Sequence, residues 1–571
     1  MPAPADPTQT TVTAALSRLQ AARGWLSDES LRELAADTEL PLSRLEEVAS
    51  FFPHFRRSKP PAVELAVCRD FACHHRGAGR LIAGLQAEFA GDARVHVEPV
   101  SCLGRCDRPV AACLNRTAGE LVHDALYLSR TANQLIALVR AAVAGKPPPP
   151  PDSDAALLPA RAAWAIDAVA DRPAFSTTIP LADRLRRGNP EEAARISADL
   201  LARVTVSGLL GMGGGQEEAA KKWTDVAGRK TAVKYVVANG DESEPGTFKD
   251  RDLLLRHPRL VVEGVILAGA AVRATRGYIF IRHEYPEQIA AVRAAVAEAY
   301  QKGAAGDHFP VSVFVSPGGY ICGEQSALIE AMEGNRAQPR NKPPTLATNG
   351  LFDQPTLVSN VETFAWVPGV VAHTDLAAGD KGNWYTGPQA AGQGRRLFSV
   401  CGDVARPGVY ELPKNAPFRE LMEVAGGVVG EFLAVAPSGP SGGFTPRQVT
   451  FRGTTTDLFD LPVEKDAFGK WGLLLGSGLM VYARGTDLTA AAVNATEFYR
   501  NESCGKCVPC RVGSQKLVEI GRGLVGGADR AATATVVEEL DAVLRLTSIC
   551  SLGPSASQPL LTRLKAFPGV P

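Results

Sequence analysis

The segment AVKYVVANGDESEPGTFKDR at residues 232–251 is an apolar β-branched run followed by acids and a glycine turn, and it is the clearest indicator of the fold. Two more apolar runs follow, GYIFIR at 277–282 and VSVFVSP at 311–317, and the segments between them show helical spacing of apolar residues. Strands that alternate with helices pair in parallel and are covered by helices. From about residue 204 onward, the sequence therefore predicts a mainly parallel α/β sheet.

Acids and glycines stand where two of these strands end. Asp241, Glu242 and Glu244 come directly after the first strand, and GGYICGEQSALIEAMEG at 318–334 comes after the third. Parallel sheets bind ligands at the carboxyl ends of their strands, and carboxylates there accept hydrogen bonds from ribityl, ribose or amide groups. A solvated acidic turn is the alternative reading. Together these loops predict a shared pocket.

A glycine-rich segment, GLLGMGGGQEEAAKKW at 208–223, supplies a third loop. It follows VTV at 204–206, which we interpret as a short strand. Glycines let the backbone approach a flat or phosphorylated ligand, and a following helix N-terminus favours a phosphate. A flexible surface loop has the same composition, so this segment alone is a weak signal.

Four of the 11 cysteines form an N-terminal group, Cys68, Cys73, Cys102 and Cys106. Each pair follows a short strand, in the order expected of a small α/β domain with a site at its strand ends. Gaps of four and three residues are looser than the two-residue gaps of zinc knuckles and favour a [2Fe-2S] cluster, with zinc or no cofactor as alternatives. The two histidines after Cys73 are interpreted as solvated loop residues rather than as Rieske ligands.

A second group lies near the C-terminus, in SCGKCVPCR and SICSLGP, with the cysteines Cys504, Cys507, Cys510 and Cys550. Three closely spaced thiolates on a tight loop and a fourth from elsewhere suit a [4Fe-4S] cluster, and zinc is the alternative. The remaining three cysteines are expected to be buried packing residues: Cys113, Cys322 and Cys401.

Length and charge exclude other classes of protein. The 571 residues are 45% hydrophobic and 21% charged, which excludes a disordered or fibrous chain and suggests roughly three or four domains. With 61 basic and 61 acidic residues, the chain has no basic surplus for a nucleic acid. The longest apolar stretch, at 260–272, contains Glu263 and is too short to span a membrane. Since the N-terminus also lacks a signal-peptide pattern, we expect a cytoplasmic protein.

The quoted segments resemble those of a known family. NGDESEPGTFKDR, GGYICGEQSALIEAMEG, TLVSNVET and SCGKCVPCR with the late Cys550 resemble the NADH-binding flavoprotein subunit of respiratory complex I. Its relatives are the diaphorase subunits of NAD-reducing hydrogenases and of NAD-dependent formate dehydrogenases. The first 145 residues resemble the complex I subunit that has a thioredoxin-like [2Fe-2S] domain.

This resemblance implies an α/β multidomain fold and four cofactors: FMN, NAD, [2Fe-2S] and [4Fe-4S]. Five proline residues at 147–151 mark the clearest boundary, because they form an extended spacer. The implied domains are a helical lead plus a thioredoxin-like [2Fe-2S] domain (1–145), a linker and connecting segment (146–203), a Rossmann-like FMN/NAD domain (204–394), a ubiquitin-like SLBB insert (395–480) and a helical [4Fe-4S] bundle (481–571).

By motif position, the resemblance also implies the residues that bind FMN: Gly211, Gly213, Lys222, Asn239, Asp241, Glu242, Tyr320, Gly323, Glu324, Ser359, Asn360, Thr363 and Leu552. It assigns Glu244 to the nicotinamide nucleotide. Two family aromatics are missing here, since Glu217 and Thr345 stand at their positions. Two adjacent acids in GQEEAA, at 215–220, would repel a pyrophosphate unless they point away.

Electron counting suggests the mechanism. NAD(H) exchanges two electrons as a hydride and iron–sulfur clusters pass one at a time, so a flavin belongs between them, and no side-chain acid or base is required. The resemblance favours the diaphorase (beta) subunit of a molybdenum- or tungsten-dependent formate dehydrogenase, whose partner subunit holds the pterin and further clusters. A hydrogenase diaphorase, a complex I module and a non-catalytic electron-transfer scaffold are the alternatives.

Overall fold

The computed structural model describes residues 6–117, 122–160, 162–387 and 394–568. The predicted domain ends at residues 1 and 571 lie outside these ranges. The chain begins with a helical lead, as the spacing of its apolar residues predicts. Its helices are α1 (Pro7–Thr10), α2 (Val12–Arg23), α3 (Asp28–Thr38) and α4 (Leu42–Ala49).

A small α/β domain follows, with a sheet in the order β2-β1-β3-β4. β1 pairs in parallel with β2 and antiparallel with β3, so each cysteine pair of the first group follows one of two adjacent parallel strands. A capping box of Thr131 and Gln134 starts the last helix. The elements are β1 (Val63–Cys68), α5 (Phe71–His75), α6 (Ala78–Phe89), β2 (Val95–Val100), β3 (Ala111–Arg116), β4 (Val122–Leu128) and α7 (Ala132–Val143).

The proline run at 147–151 contains no helix or strand and leads into a helical connection. The elements here are a 3-10 helix (Ala155–Ala160), α8 (Asp167–Ala170), α9 (Thr178–Arg187) and α10 (Pro190–Ser207). The strand predicted at 204–206 is wrong, because these residues form the last turn of α10 before a left-handed Gly208 cap. Val204 is fully buried, and tertiary packing of this kind overrides the strand preference of β-branched residues.

The central domain has the predicted parallel sheet, in the order β7-β6-β5-β8, with all pairs parallel. α13 is buried along nearly its whole length, and its Glu263 accepts a hydrogen bond from the backbone N–H of Thr177 (3.1 Å). The elements are α11 (Ala219–Ala227), β5 (Tyr235–Gly240), α12 (Lys249–Arg256), α13 (Pro258–Val272), β6 (Arg276–Arg282), α14 (Pro286–Gln301), β7 (Val311–Ser316), a 3-10 turn (Tyr320–Gly323), α15 (Gln325–Met332), a 3-10 turn (Leu351–Asp353), β8 (Thr356–Asn360), α16 (Val361–His373) and a 3-10 segment (Leu376–Gly382).

The insert has the predicted small mixed sheet, in the order β10-β9-β14-β11, with only β14 and β9 parallel. Its elements are β9 (Arg396–Gly402), β10 (Gly408–Leu412), α17 (Phe418–Val424), β11 (Phe432–Pro440), the hairpin β12 (Gln448–Phe451) and β13 (Thr454–Asp457), a 3-10 turn (Leu458–Asp460), α18 (Lys465–Gly469) and β14 (Gly478–Ala483).

The C-terminal region is helical, as predicted, with α19 (Leu488–Glu502), α20 (Val508–Val525), α21 (Arg530–Thr547) and α22 (Leu552–Ala566). In the part of the chain that the structure describes, no helix is both long and apolar enough to cross a membrane.

Candidate functional site

The glycine loop lies against the carboxyl end of the central sheet. The Met212 N–H donates to Thr363 Oγ1 (2.9 Å), and a Cβ added at Gly213 would lie 3.3 Å from Cβ of Asn360. The Gly211 N–H donates to the Glu217 carbonyl (2.7 Å), which closes the loop on itself. Two predicted FMN residues of this loop, Gly211 and Gly213, therefore lie beside two others, Asn360 and Thr363.

The other side of the glycine loop is held by the insert. The side chain of Gln216 is 8% exposed and donates to the Leu475 carbonyl (2.7 Å), while Lys465 Nζ donates to the Gly215 carbonyl (2.5 Å). Glu217 and Glu218 are exposed. The GQEEAA segment is thus joined to the neighbouring insert by two hydrogen bonds.

Asn239 and Asp241 form the strand-end corner of the pocket. Asn239 stands opposite Asn360 in the sheet register, donates from Nδ2 to the Gly323 carbonyl (3.0 Å) and accepts from the Asp241 N–H (3.0 Å). Ser243 donates to Asp241 Oδ1 (2.9 Å), whereas Asp241 Oδ2 is buried and has no hydrogen-bond partner among the described residues. Burial raises the pKa of Asp241 to about 7. A buried acceptor without a partner fits a hydrogen-bond donor on a bound FMN.

Two of the predicted FMN acids also cap helices. Glu242 is 5% exposed and accepts from the backbone N–H groups of Asp250 (2.8 Å) and Arg251 (3.0 Å), at the start of α12. Glu324 accepts from Ser326 N–H and Ala327 N–H (2.9 Å each) at the start of α15. Carboxylates at these positions satisfy amides that a helix cannot pair internally. Their predicted contacts with FMN stay predictions.

Glu244, predicted to contact the nicotinamide nucleotide, lies where three domains meet. Its Oε1 accepts from Tyr499 Oη of the helical region (3.0 Å) and from Ser441 N–H of the insert (3.1 Å). Burial raises the pKa of Glu244, and hydrogen bonds from Tyr320, Ser441 and Tyr499 oppose that shift. The rings of Tyr320 and Tyr499 pack edge to face at 6.0 Å.

Lys222 lies on α11, the helix that follows the glycine loop. Burial lowers the pKa of Lys222, the nearby Glu217 raises it, and the nearby Lys342 lowers it again. Lys342 Nζ is 3.2 Å from Glu324 Oε1, and no ion pair joins Lys222 to an acid in the described ranges. A desolvated amine without an ion pair fits the phosphate of FMN.

The sequence interpretation missed a buried cation beneath the pocket. Lys249 is 2% exposed, with its Nζ 2.5 Å from Asp250 Oδ1, 2.9 Å from Glu362 Oε2 and 3.1 Å from Asn360 Oδ1. Burial opposes its charge, but Asp250 and Glu362 raise the pKa of Lys249. This lysine fixes Asn360, and Ser359 is 9% exposed on the same strand end. Lys249 stands within the quoted motif NGDESEPGTFKDR, but the sequence does not show which acids it pairs with.

The first cysteine group converges in a buried pocket, where Cys102 Sγ and Cys106 Sγ are 3.4 Å apart. The exposed fractions of all four residues are between 1% and 4%. Hydrogen bonds to Cys102 and Cys73 raise the pKa of Cys68, and hydrogen bonds from Cys106 and Cys68 lower that of Cys102. Four converging thiols fit a [2Fe-2S] cluster.

This cysteine pocket is in direct contact with the loop at 239–246. The backbone N–H of Gly246, in the same loop as Asp241 and Glu244, donates to Cys106 Sγ (3.2 Å). Arg282, at the end of β6, donates to the Glu242 carbonyl (2.5 Å) and to the Cys102 carbonyl (2.6 Å). The sequence interpretation missed Arg282, whose only signal was an arginine that ends an apolar strand.

Buried charges fasten the two domains together around this contact. Arg251 is fully buried and forms a two-point ion pair with Asp107 (3.0 Å for each bond), and it donates to the Gly104 carbonyl (2.8 Å). Arg105 pairs with Asp154 at 2.8 Å. A buried ion pair is stable only when the other donors and acceptors of its two side chains are also hydrogen-bonded.

The histidines after Cys73 lie at the end of α5 rather than in a loop, and both are partly exposed. His75 Nε2 lies 3.0 Å from Asp403 of the insert, and burial lowers the pKa of His74. The three remaining cysteines are buried, as expected. Burial, Asp107 and the cluster cysteines Cys102 and Cys73 all raise the pKa of Cys401.

The second cysteine group lies closer to the surface. Cys510 is 5% exposed, and the other three are only partly buried. Burial raises the pKa of Cys510 to about 12 and that of Cys550 to about 11, so the free thiols are protonated near neutral pH, and iron would displace those protons. Leu552, a predicted FMN residue, is 3% exposed at the start of α22, and its backbone hydrogen bond lowers the pKa of Cys550.

Family models match along most of the chain. They are the thioredoxin-like [2Fe-2S] ferredoxin (4–130), the Nuo51 FMN-binding domain (204–369), the SLBB domain (397–445) and the NADH-ubiquinone oxidoreductase-F iron–sulfur binding region (490–570).

Curated relatives show the same kinship. The F subunit of the NADH-quinone oxidoreductase of Aquifex aeolicus is 37% identical over 391 residues, which cover 66% of this chain and 86% of the relative. The F subunit of the Escherichia coli enzyme is 36% identical over 405 residues, or 67% and 87% of the two chains. The chain belongs to this family of NADH-binding flavoproteins. Members bind NADH, and this chain carries an FMN-binding domain, a [2Fe-2S] domain and a [4Fe-4S] binding region.

A solved structure extends the similarity of this flavoprotein to its N-terminal domain. A chain of an NAD⁺-reducing [NiFe]-hydrogenase in the H₂-reduced state superposes with a TM-score of 0.82 at 29% identity, over 98% of this chain and 93% of the other. The air-oxidized form gives a TM-score of 0.80. The flavoprotein is therefore an electron-transfer subunit of the type found in complex I and in this hydrogenase, and the family acts within multi-subunit complexes. Which side chains contact each cofactor stays a prediction.

Proposed function

We propose that this flavoprotein is the NAD-linked electron-transfer (beta) subunit of a formate dehydrogenase. In this role it takes electrons from a molybdenum- or tungsten-pterin partner subunit and passes them to NAD⁺. The observation that carries the electron-transfer role is the loop from Asn239 to Gly246. One end of this loop lines the pocket with Asp241, and the other end donates to Cys106 Sγ at 3.2 Å.

FMN, when bound, exchanges a hydride with NAD(H) and single electrons with iron–sulfur clusters. The residues of the chain bind and orient the groups. Asp241 would accept a hydrogen bond from the bound flavin, Lys222 would neutralise its phosphate, and Lys249 fixes the Asn360 side chain at the same strand end. Glu244 is the acid placed for the nicotinamide nucleotide, and Tyr320 and Tyr499 restrict its side chain through hydrogen bonds. No side chain is needed as an acid or base for the hydride itself.

An exposed apolar surface beside the [4Fe-4S] site supports docking of the partner subunit. It consists of Val508 and Val512 at the start of α20 with Val543 and Leu546 at the end of α21, and Leu546 is 84% exposed. The two helix ends touch, because a Cβ on Gly513 would lie 3.1 Å from Leu544. An apolar patch next to a redox site favours a partner that carries the next cluster.

The choice of formate rests on sequence resemblance. The stretch ICGEQSALIEAMEG, followed by QPRNKPP at 338–344, together with the fused [2Fe-2S] domain, resembles the formate dehydrogenase branch most closely. A hydrogenase diaphorase is the second candidate, which is favoured by a superposition that includes the fused domain. In either case we expect a cytoplasmic protein, since clustered free thiols suit a reducing compartment.

Two experiments test these proposals. The purified chain, with FMN and iron content measured, should reduce ferricyanide with NADH. If FMN is fully bound and there is no such activity, the chain is an electron-transfer scaffold and the diaphorase proposal is wrong. The second experiment is purification of the native complex with metal analysis. Tungsten or molybdenum with formate-dependent NAD⁺ reduction supports the formate proposal, and nickel with H₂-dependent reduction replaces it by the hydrogenase.

A further inference from the structure

Helix α19 contacts both of the other redox sites before it reaches the [4Fe-4S] loop. It spans Leu488–Glu502 and ends two residues before Cys504. Since each residue advances a helix by about 100°, Asn494, Phe498 and Glu502 lie on one face. On this face the Phe498 ring packs edge to face on Tyr320 at 5.1 Å.

Asn494 holds the loop between Cys68 and Cys73. The Phe71 N–H donates to Asn494 Oδ1 (2.7 Å), and Asn494 Nδ2 donates to the Arg69 carbonyl (3.1 Å). Phe71 has a φ of +47°, in the left-handed region that bulky residues rarely adopt. One amide side chain therefore fixes a strained turn between two cluster cysteines.

Glu502 joins the segment before Cys102 to the turn Tyr320–Gly323. Its Oε1 accepts from Ser101 Oγ (2.5 Å), and Ser101 directly precedes Cys102. Its Oε2 accepts from the backbone N–H of Tyr320 (2.8 Å), the first residue of the turn that includes Gly323. A single carboxylate therefore connects segments that lie 401 and 182 residues away in the chain.

We propose that Glu502 is a positioning residue that couples the [2Fe-2S] site to the Tyr320–Gly323 turn of the predicted FMN site, with α19 as the rigid element between these sites and the [4Fe-4S] loop. The proposal rests on the proposed function only in that the two cysteine groups hold clusters. Ser101 and Tyr320 are held by one group that has two acceptor oxygens. Displacement of either one therefore disturbs the other, and the carboxylate charge lies between the redox sites.

The chemistry of glutamine separates geometry from charge. In Glu502→Gln the amide oxygen can accept from Tyr320 N–H, and the amide NH₂ can donate to Ser101 Oγ, so both connections survive while the negative charge is lost. A nearby negative charge disfavours the reduced cluster. We therefore expect the ratio of reduced to oxidised [2Fe-2S] at a fixed potential to rise about threefold to tenfold in Glu502→Gln.

The test uses the full chain with FMN and both clusters, in Glu502→Ala, Glu502→Gln and Ser101→Ala. Hydrogen exchange of the peptide that contains Tyr320 reports the geometry, and a redox titration followed by EPR reports each cluster. We expect Glu502→Ala to lose protection at Tyr320 and to change the [2Fe-2S] signal. Glu502→Gln should retain the protection and shift the potential. Ser101→Ala should change the [2Fe-2S] signal and weaken protection at Tyr320.

The matched control is Glu519→Gln, which removes the same charge from an exposed pair with Lys516 on α20 and should leave both readouts unchanged. The proposal is overturned if Glu502→Ala leaves Tyr320 exchange and the [2Fe-2S] signal as in the natural chain. If Glu502→Ala does not fold, the test rests on Glu502→Gln and Ser101→Ala. The proposal is then overturned if the Tyr320 exchange and the [2Fe-2S] potential are unchanged in both variants. Neither readout uses NADH, so failure here is distinct from failure of the proposed function.

Discussion

The two cysteine groups differ in how the fold surrounds them. The first group is enclosed by three domains, with sulfur atoms that accept hydrogen bonds from Gly246 of the FMN domain (3.2 Å) and from Gly104 (3.4 Å). The second group is partly exposed at the end of a helical bundle, beside the apolar side chains of Val508 and Leu546. Burial and hydrogen bonds to sulfur are what set the potential of an iron–sulfur site. The first site is therefore joined to other domains of the chain by hydrogen bonds, whereas the second has exposed apolar side chains beside it.

The largest effect should come from removing one ligand of each group. Cys102→Ser should lose the [2Fe-2S] signal and keep the [4Fe-4S] signal, and Cys550→Ser should do the reverse, because the groups share no thiol. Iron analysis and EPR of the reduced chain measure this. Loss of both signals in Cys102→Ser with intact circular dichroism would contradict two independent sites.

The enclosure of the first site depends on buried charge. Arg251→Met removes the buried two-point ion pair with Asp107, and we expect a loss of about 3–5 kcal/mol of unfolding free energy, together with a weaker hold on [2Fe-2S]. Urea unfolding of the full chain measures the first effect, and iron content measures the second. The matched control, Arg140→Met, breaks an exposed pair with Glu88 and should cost at most about 1 kcal/mol.

Asp241 lies at the pocket beside the enclosed site and should make FMN binding depend on pH. Burial raises its pKa to about 7, so the flavin-free carboxyl is protonated below that pH, and a donor on FMN favours the ionised form. FMN affinity should therefore rise up to about tenfold per pH unit as the pH approaches 7, and then level off. Because this carboxyl ionises near pH 4 in the unfolded chain and near pH 7 in the folded one, the flavin-free chain should lose stability as the pH rises from about 4 to about 7.

The measurement for this prediction is FMN fluorescence titration from pH 5.5 to 8. Asp241→Asn should give a flat profile. Asp199→Asn, which removes an exposed carboxylate paired with Arg203, should keep the slope of the natural chain. An unchanged slope in Asp241→Asn would assign the pH dependence to another group.

The smallest effects on the clusters should come from replacing one glycine by alanine at each site. Gly246 has a φ of +93°, and a Cβ there would lie 3.3 Å from Phe71 Cε1, so Gly246→Ala should displace the N–H that donates to Cys106. Gly505, beside Cys504, has a φ of +73° and more space. Both alanines meet a backbone penalty of about 1–2 kcal/mol.

Redox titration distinguishes the two glycine variants. Gly246→Ala should lower the reduced fraction of [2Fe-2S] at a fixed potential about threefold and leave [4Fe-4S] unchanged, because it weakens a hydrogen bond to sulfur. Gly505→Ala should leave [2Fe-2S] unchanged. A shift of the [4Fe-4S] potential in Gly246→Ala would contradict the expectation that this substitution affects the first site alone.

Much of the fold was predictable because its signals are local. Period-two and period-3.6 patterns identified the parallel sheet, the mixed insert and the C-terminal helices. The strand read at 204–206 failed because burial of Val204 outweighs the preference of a β-branched residue. The hydrogen bond from Gln216 in the glycine loop had no local signal, since its acceptor carbonyl lies 259 residues away.

The chemistry of this flavoprotein was readable from the sequence, because the two groups of four cysteines, the two acidic strand-end loops and the glycine loop are recognisable from residue types and short spacings. Only the tertiary structure decided how these sites meet. The Gly246–Cys106 contact, the charge pairs of Lys249 and Arg251 and the two bonds of Glu502 join segments far apart in the chain. Contacts of this kind follow from packing of whole domains, since no local pattern specifies which distant carbonyl, amide or thiol a side chain will reach.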